Sequence, residues 1–550
     1  MISRPLRARV ASIVGALALL PVVCACSAER HARDADRSAT RILEARAADL
    51  LGGRRDGVEW PEERAPSPEA PDDGEAGAPG SGDTPASVDA DEAVEAEPAR
   101  RILNLFQALD VAVGSNRDFI ARKEGLFLQA LSLAETRHAF SPLVSSTLSY
   151  LYSDGKGLPE THSTAVSGAI SQILETGGTL RLDASSSYDT NSAAVNRGSF
   201  GSSVSVSLIQ PLLRDAGFEA SHEALTQAER NLVYAIRDFE LFREDFSIDV
   251  ARRFYDLVQQ QQSIENEQRN LEELLFGERQ AQALFDVGRT AELDVLRARR
   301  NRLNAENRLL EAEEGYELAL DRFRIFLGLA DDTKLDVAAD PPDFVPVRYE
   351  VRSAVEVALR NRLDFLNRRE QLEDGERAVR LARNDLLPSL TLGASLNLPT
   401  VTDPSFTGQQ FDGESVSAGL TLDLPVDRVA ERSAYRRTQI ALVQARRAFE
   451  EFRDNLIVDV QSAFRELDRR QESLAIQRQL IDDEKKNVRI AQLRFEQGEI
   501  PNRDVVEAQQ GLLDARNALI REQVNYEISR LGLLRDLGIL FIDERGRWTE

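Results

Sequence analysis

The sequence predicts a mainly α chain with β. Long antiparallel coiled-coil helices are joined to four membrane-crossing strands, and the whole is one unit written twice. Three observations carry this. Landmark residues recur at one constant offset from Asp249 to Gly328. Apolar positions step by four and three over long stretches of each copy. Before each such stretch, apolar residues alternate with small hydroxylated ones, in runs long enough for a tilted strand to cross a bilayer.

The amino terminus reads as a targeting segment. Arg4, Arg7 and Arg9 precede an apolar stretch from Val10 to Val23, the layout of a secretory leader and too short for a comfortable span. Its end, Val23-Cys24-Ala25-Cys26-Ser27, resembles a bacterial lipoprotein cleavage box, so Cys26 is the expected lipidated first residue of the mature chain. Ser38–Leu51 can form a short amphipathic helix. From Val58 to Pro98 there are thirteen acids and one Arg. This segment has almost nothing to bury and is expected to be a disordered tether.

Beyond the tether the chain is duplicated. Asp249-Val250, Phe254 and Leu257 recur as Asp459-Val460, Phe464 and Leu467, an offset of 459 − 249 = 210. The same offset relates Phe285 to Phe495, Gly288 to Gly498, Asp294-Val295 to Asp504-Val505, and Leu327-Gly328 to Leu537-Gly538. Chance similarity of helices would not hold one register through Gly and Asp landmarks. In the first copy Val250, Phe254, Leu257, Gln261, Ile264, Gln268, Leu271 and Leu275 form a heptad seam, continued at Leu296, Leu303 and Leu310. Their second-copy partners are Val506, Leu513 and Ile520. Continuous helices from Arg214 to Asp286 and from Arg428 to Gln497 would each run about 100 Å at 1.5 Å per residue. Between the helices of each hairpin lie the turns Val287-Gly288-Arg289-Thr290 and Gln497-Gly498-Glu499-Ile500-Pro501, where glycine ends one helix and Pro501 suits the start of the next.

Strand signals precede the long helices. Leu390 to Leu398 and Val416 to Leu424 alternate cleanly, Val204 to Leu208 likewise, and Leu148 to Tyr152 less so. Two strands per copy give four per chain. Four strands cannot close a barrel, and open edges are not tolerated in lipid, so the wall must be shared; three chains would give twelve strands. Thr179–Tyr188 also has strand character. Three crossings would leave the next helix on the wrong side of the membrane, so that segment is expected to extend a neighbouring strand or sit in an external loop.

The order helix, strand, strand, long helix, glycine turn, helix, repeated once, resembles the TolC-type outer-membrane efflux proteins, and in particular their lipoprotein branch. The resemblance covers roughly Arg101 to Phe541. Its marks are Pro142 and Pro388 opening strands, Leu208-Ile209-Gln210-Pro211-Leu212-Leu213 and Leu422-Asp423-Leu424-Pro425 closing them, and Phe285-x-x-Gly288 and Phe495-x-x-Gly498 at the turns. It implies a homotrimer in outer-membrane lipid, with a trimeric α-barrel and a 12-stranded β-barrel. Such a trimer is the exit duct of a tripartite efflux or type I secretion system, fed by a periplasmic adaptor and an inner-membrane RND or ABC pump. The resemblance further implies a periplasmic gate. Asp504 and Glu507 match the family's two gate acids in spacing, Asp294 matches the acid that holds the tip closed, and Phe495 stands where a Tyr is usual. Val287, Gly288, Arg289 and Thr290, with Gln497, Gly498, Glu499, Ile500 and Pro501, are the adaptor-docking turns it implies. The resulting division is a signal peptide over 1–25, a lipidated acidic tether over 26–98, repeats over 99–330 and 351–541 flanking a connector over 331–350, and a tail over 542–550.

Composition supports what these patterns exclude. Lys+Arg 68 against Asp+Glu 92 gives a net charge of -24 in 550 residues, the wrong sign for a nucleic-acid footprint. Two Cys and 4 His argue against a disulfide scaffold or a metal site. No hydrolase, zincin, phosphate-loop or redox motif is present in the sequence, so neither a catalytic residue nor a cofactor is expected. The rival function is a lipid-anchored structural or adhesive coiled coil.

Overall fold

The computed structural model describes residues 28–51, 101–155, 158–191, 198–330, 334–342, 344–347, 350–400, 411, 413–497 and 499–549. The leader, Cys26, the acidic Val58–Pro98 segment and Gly498 lie outside the described residues. Two compact units are present.

The first unit holds a six-stranded antiparallel sheet. Its strands are β1 to β6 in chain order: β1 (Leu143–Gly155), β2 (Leu158–Ile173), β3 (Thr179–Asn191), β4 (Ser199–Pro211), β5 (Ser389–Pro399) and β6 (Ser415–Asp423). They pair in that same order, β4 and β5 being joined through the intervening helices. The expectation of four strands per chain is therefore corrected to six. Thr179–Tyr188 neither extends a neighbour nor sits in a loop. It is the body of β3, bonded to β2 on one side and to β4 on the other. The strand missed in sequence is β2. With four strands in the first copy, the strand count there is even.

Helices flank this sheet. The first, α1 (Ala28–Leu51), begins ten residues before the expected Ser38, and its Ala39 and Leu43 are fully buried. Its Arg46 lies 3.1 Å from Glu229, which also binds Arg137 at 2.7 Å. A ladder of charge pairs joins residues 223–237 to 367–377. Arg230 meets Asp374 at 2.7 Å, Arg237 meets Glu370 at 2.8 Å, and Arg377 meets Glu223 at 2.7 Å. Tyr234 donates to Asp374 at 2.6 Å. Burial and this carboxylate push the Tyr234 hydroxyl well above the ordinary phenol range.

The second unit holds α2 (Leu105–Ser115), the start of α3 (Arg117–Ala139), most of α4 (Glu223–Asp286), and α5 (Glu292–Leu327). It also holds α6 (Val351–Asn361), most of α7 (Arg453 onward within Val429–Glu496) and α8 (Asn502–Asp536). The long helices start at Glu223 and Val429 rather than at Arg214 and Arg428. Asn104 opens α2 with a full capping box, its side chain and that of Gln107 each bonding the other's backbone N–H. Asn116 then breaks α2 from α3. Buried, it accepts from the Phe119 N–H at 2.9 Å and donates to the Phe326 carbonyl at 2.6 Å. Phe119, Phe239, Phe242 and Phe246 cluster around that break.

Three helix ends obey the same rule. At α4 the Gly288 N–H bonds Phe285 O and the Arg289 N–H bonds Leu284 O; at α5 Gly328 and Leu329 repeat the pair, and at α8 Gly538 and Ile539 do so again. These are Schellman caps, with each glycine at positive φ, 76° at both Gly288 and Gly328. At the second tip Glu499 bonds Arg494 O, the 210-offset counterpart of Arg289 on Leu284. The duplication thus extends to individual backbone hydrogen bonds.

Candidate functional site

The sheet and the hairpin tips are the two candidate working parts, and each is described within its own unit. Pair register decides which residues share a face of the sheet, because directly opposed residues point the same way. Val144 opposes Ile170, which opposes Leu182, which opposes Val206, which opposes Leu396, which opposes Val416. One apolar row therefore crosses all six strands. One residue along, Ala169, Asp183, Ser205 and Asn397 form a polar row on the opposite face. At the far end of the apolar face, Tyr150, Tyr152, His162, Tyr188 and Phe200 form a belt. Tyr152 and His162 centroids lie 5.1 Å apart, and Tyr188 and Phe200 4.4 Å. An apolar band closed by an aromatic belt, backed by a small polar face, is the chemistry of a barrel wall between lipid and water. No helix among the described residues is long and apolar enough to cross a membrane. The two outer edges, on β1 and β6, have no strand partner among the described residues.

At the first tip, Asp294 sits in the opening turn of α5. It accepts from Thr290 Oγ1 at 3.1 Å and lies 3.5 Å from Arg297. At the second tip, Pro501 occupies the N-cap position of α8 rather than its first turn, with Asp504 in that turn and Glu507 exposed one turn on. Asp504 lies 3.4 Å from its neighbour Arg503. Phe495 and Ile500 are half-buried and pack on a core cluster that includes Ala491 and Val505. Phe495 thus serves as tip packing, and it also lines a cavity with Leu274, Glu278, Ala298, Asn502 and Gln509. Of the docking candidates, Val287, Gly288, Arg289, Gln497, Glu499 and Pro501 are exposed, and Thr290 and Ile500 are half-buried.

The contacts of Asp294 and Asp504 are with residues of their own tips. One inter-helix clamp was not visible in sequence. Arg302 of α5 holds Glu278 of α4 at 2.7 Å, with both side chains largely buried. The heptad reading of α5 also needs correction. Leu296, Leu303 and Leu310 are exposed, whereas Ala298 and Ala305 are buried. Ala298 and Ala305 lie on the packed side of α5, and the leucines are turned outward. In the second copy Leu513, Ala508 and Ala515 are all buried. A matching exposed stripe runs along α7 at Ile476, Leu480, Ile490 and Leu493.

Helical hairpins and an antiparallel sheet are also the fold of the outer-membrane channel structures that this chain is similar to. Residues 354–538 match the family model described as outer membrane efflux protein. The second copy is thus a domain of that family, as the TolC-type resemblance implied, and the class is one of the outer membrane. The whole-chain fold is similar to three solved structures. The outer-membrane channel OprN has 17% identity and a TM-score of 0.59, covering 84% of this chain and 98% of its own. The Campylobacter jejuni CmeC outer membrane channel has 16% identity and a TM-score of 0.57, covering 84% and 94%. The Vibrio cholerae outer membrane protein VceC has 15% identity and a TM-score of 0.59, covering 79% and 96%. None of the curated proteins matches the chain by sequence.

Proposed function

We propose that the chain is one subunit of a homotrimeric exit duct. It would be anchored through acylated Cys26 and would pass substrates from a periplasmic adaptor and an inner-membrane RND or ABC pump to the outside. The observation that carries this reading is the unfinished sheet. One face suits lipid, the other suits water, and both edges end in backbone with no strand partner among the described residues, which neighbouring copies would satisfy in a bilayer. The exposed stripes on α5 and α7 point the same way, since apolar rows of this length in water mark contact surfaces.

Three copies of Asp504 and Glu507 around one axis would focus negative potential in a narrow bore. Asp294, held by Thr290, would lock the first tip, and Phe495 would brace the second. The exposed turns at Val287–Thr290 and Gln497–Pro501 would receive the adaptor. The test is single-channel recording of the purified protein in planar bilayers, without and with Asp504→Asn plus Glu507→Gln. Conductance that is cation-selective and blocked by polyvalent cations, with block weakened in the double variant, supports duct and gate. Unchanged block removes the gate assignment. A protein that never conducts leaves the lipid-anchored adhesive coiled coil as the reading.

A further inference from the structure

The hairpin formed by β2 and β3 has no counterpart among the described residues of the second copy, where β6 is the next strand of the sheet after β5. Pro142 before β1 corresponds to Pro388 before β5, and the Leu-Ile-Gln-Pro close of β4 to the Leu-Asp-Leu-Pro close of β6. The extra pair therefore interrupts what would otherwise be a two-strand copy. We propose that this hairpin is a full part of the membrane wall, so that three chains close an eighteen-stranded barrel whose mouth admits large hydrated polar cargo. The inference rests on the exit-duct reading and deepens it.

Four observations carry it. First, the hairpin is inside the sheet: β2 bonds β1, and β3 bonds β4, in unbroken register from Leu180↔Leu208 to Asp189↔Ser199. It cannot hang outside without cutting the sheet in two. Second, it keeps the two-faced pattern. Val166 and Ile170 lie on the apolar face with Leu182, while Ser167 and Ser185 oppose each other on the polar face. An external loop has no reason to do so. Third, aromatic residues of the hairpin stand on the apolar face beside those of both neighbouring strands, His162 by Tyr152 and Tyr188 by Phe200. Fourth, its inner turn is fastened at the helix-proximal end. Ser221 Oγ donates to the Glu175 carbonyl at 3.1 Å, and the Gly217 N–H donates to the Thr176 carbonyl at 3.0 Å. Gly177, at φ +87, comes so near Asp215 that a Cβ would fall 2.6 Å from its carbonyl oxygen.

Barrel diameter grows roughly in proportion to strand number. With strands about 4.8 Å apart and tilted about 40°, eighteen strands give a backbone diameter of roughly 35 Å and twelve give roughly 24 Å. The polar face is mostly Ser, Thr, Gly and Asn, too small to fill that space.

The test uses the full-length protein in proteoliposomes and bilayers. Single variants Ser167→Cys and Ser185→Cys on the polar face, and Val166→Cys and Ala184→Cys on the apolar face, are treated with a charged, membrane-impermeant thiol reagent. The first two are expected to react at least tenfold faster. A neutral polymer about 20 Å across, added on the sheet side, is expected to lower conductance by entering the mouth, which a twelve-stranded wall would not allow. Equal reaction at all four positions, in a protein that still conducts, overturns the wall assignment and leaves the duct standing. Faster polar-face labelling with the polymer excluded overturns the eighteen-stranded count and points to two chains. A protein that labels but never conducts overturns the duct itself.

Discussion

Replacing Gly328 with alanine is the sharpest test of how the helices are ended and packed. Gly288 and Gly328 share φ = 76° and the same pair of capping hydrogen bonds. Their surroundings differ. A Cβ on Gly288 would meet nothing within 4 Å, whereas one on Gly328 would collide with the Ser115 carbonyl at the α2–α3 break. Alanine in the left-handed region costs about 1 kcal/mol at either site. Crowding a backbone atom that cannot swing aside adds about 1–3 kcal/mol at Gly328 alone. Gly288→Ala should therefore lose about 1 kcal/mol, and Gly328→Ala roughly 2–4 kcal/mol. A difference of about 2 kcal/mol is roughly a thirtyfold change in the folding equilibrium. Urea unfolding of the detergent-solubilised protein, followed by helical circular dichroism, reads both variants on one scale. Gly538→Ala should follow Gly328→Ala, since its Cβ would lie 2.9 Å from the Asn361 carbonyl carbon. Equal losses at Gly288 and Gly328 would refute the claim that close approach, rather than the turn alone, sets the glycine at the second site.

Other outcomes follow from the same contacts. Asn116→Ala removes a buried cap and orphans the Phe326 carbonyl, so it should cost about 2 kcal/mol in the same unfolding assay. Leu396→Arg, in the apolar row, should cost about 2–4 kcal/mol and impair membrane insertion. Ser395→Arg, one residue away and facing Ser417 at 2.7 Å, should insert normally and alter ion selectivity instead; equal insertion of the two variants would mean the faces are misassigned.

Much of the helical architecture was legible because its landmarks are chemically loud. Glycines at helix ends, Asp-Val pairs and a fixed offset of 210 located both hairpins, and clean Leu/Ser alternation located β5 and β6. β2 was hidden for a physical reason. Its apolar face reads Thr164, Val166, Gly168, Ile170 and its polar face Ala165, Ser167, Ala169, Ser171, so both are small and the contrast that marks a strand nearly vanishes. The topological conflict over Thr179–Tyr188 was the available signal, since an odd number of crossings required one more strand. The outward turn of Leu296, Leu303 and Leu310 was likewise concealed. A seven-residue period reports that a face is apolar but not whether its partner lies in the same chain, and the buried alanines two residues along settle that. The proposed gate acids rest on the family resemblance and its spacing. Their proposed action needs three copies around an axis, which a single chain cannot display.

Whether neighbouring copies complete the wall can be measured directly by cysteine pairing between the two free edges. Single cysteines at Ser145, Thr147 or Ser149 on β1 are combined with one at Ser415, Ser417 or Gly419 on β6, and the membranes are oxidised. In a closed ring of three, one register brings the edge residues within disulfide reach, and denaturing gels should show dimers and trimers and nothing larger. Monomers at every register, or a ladder that continues beyond three, would contradict it.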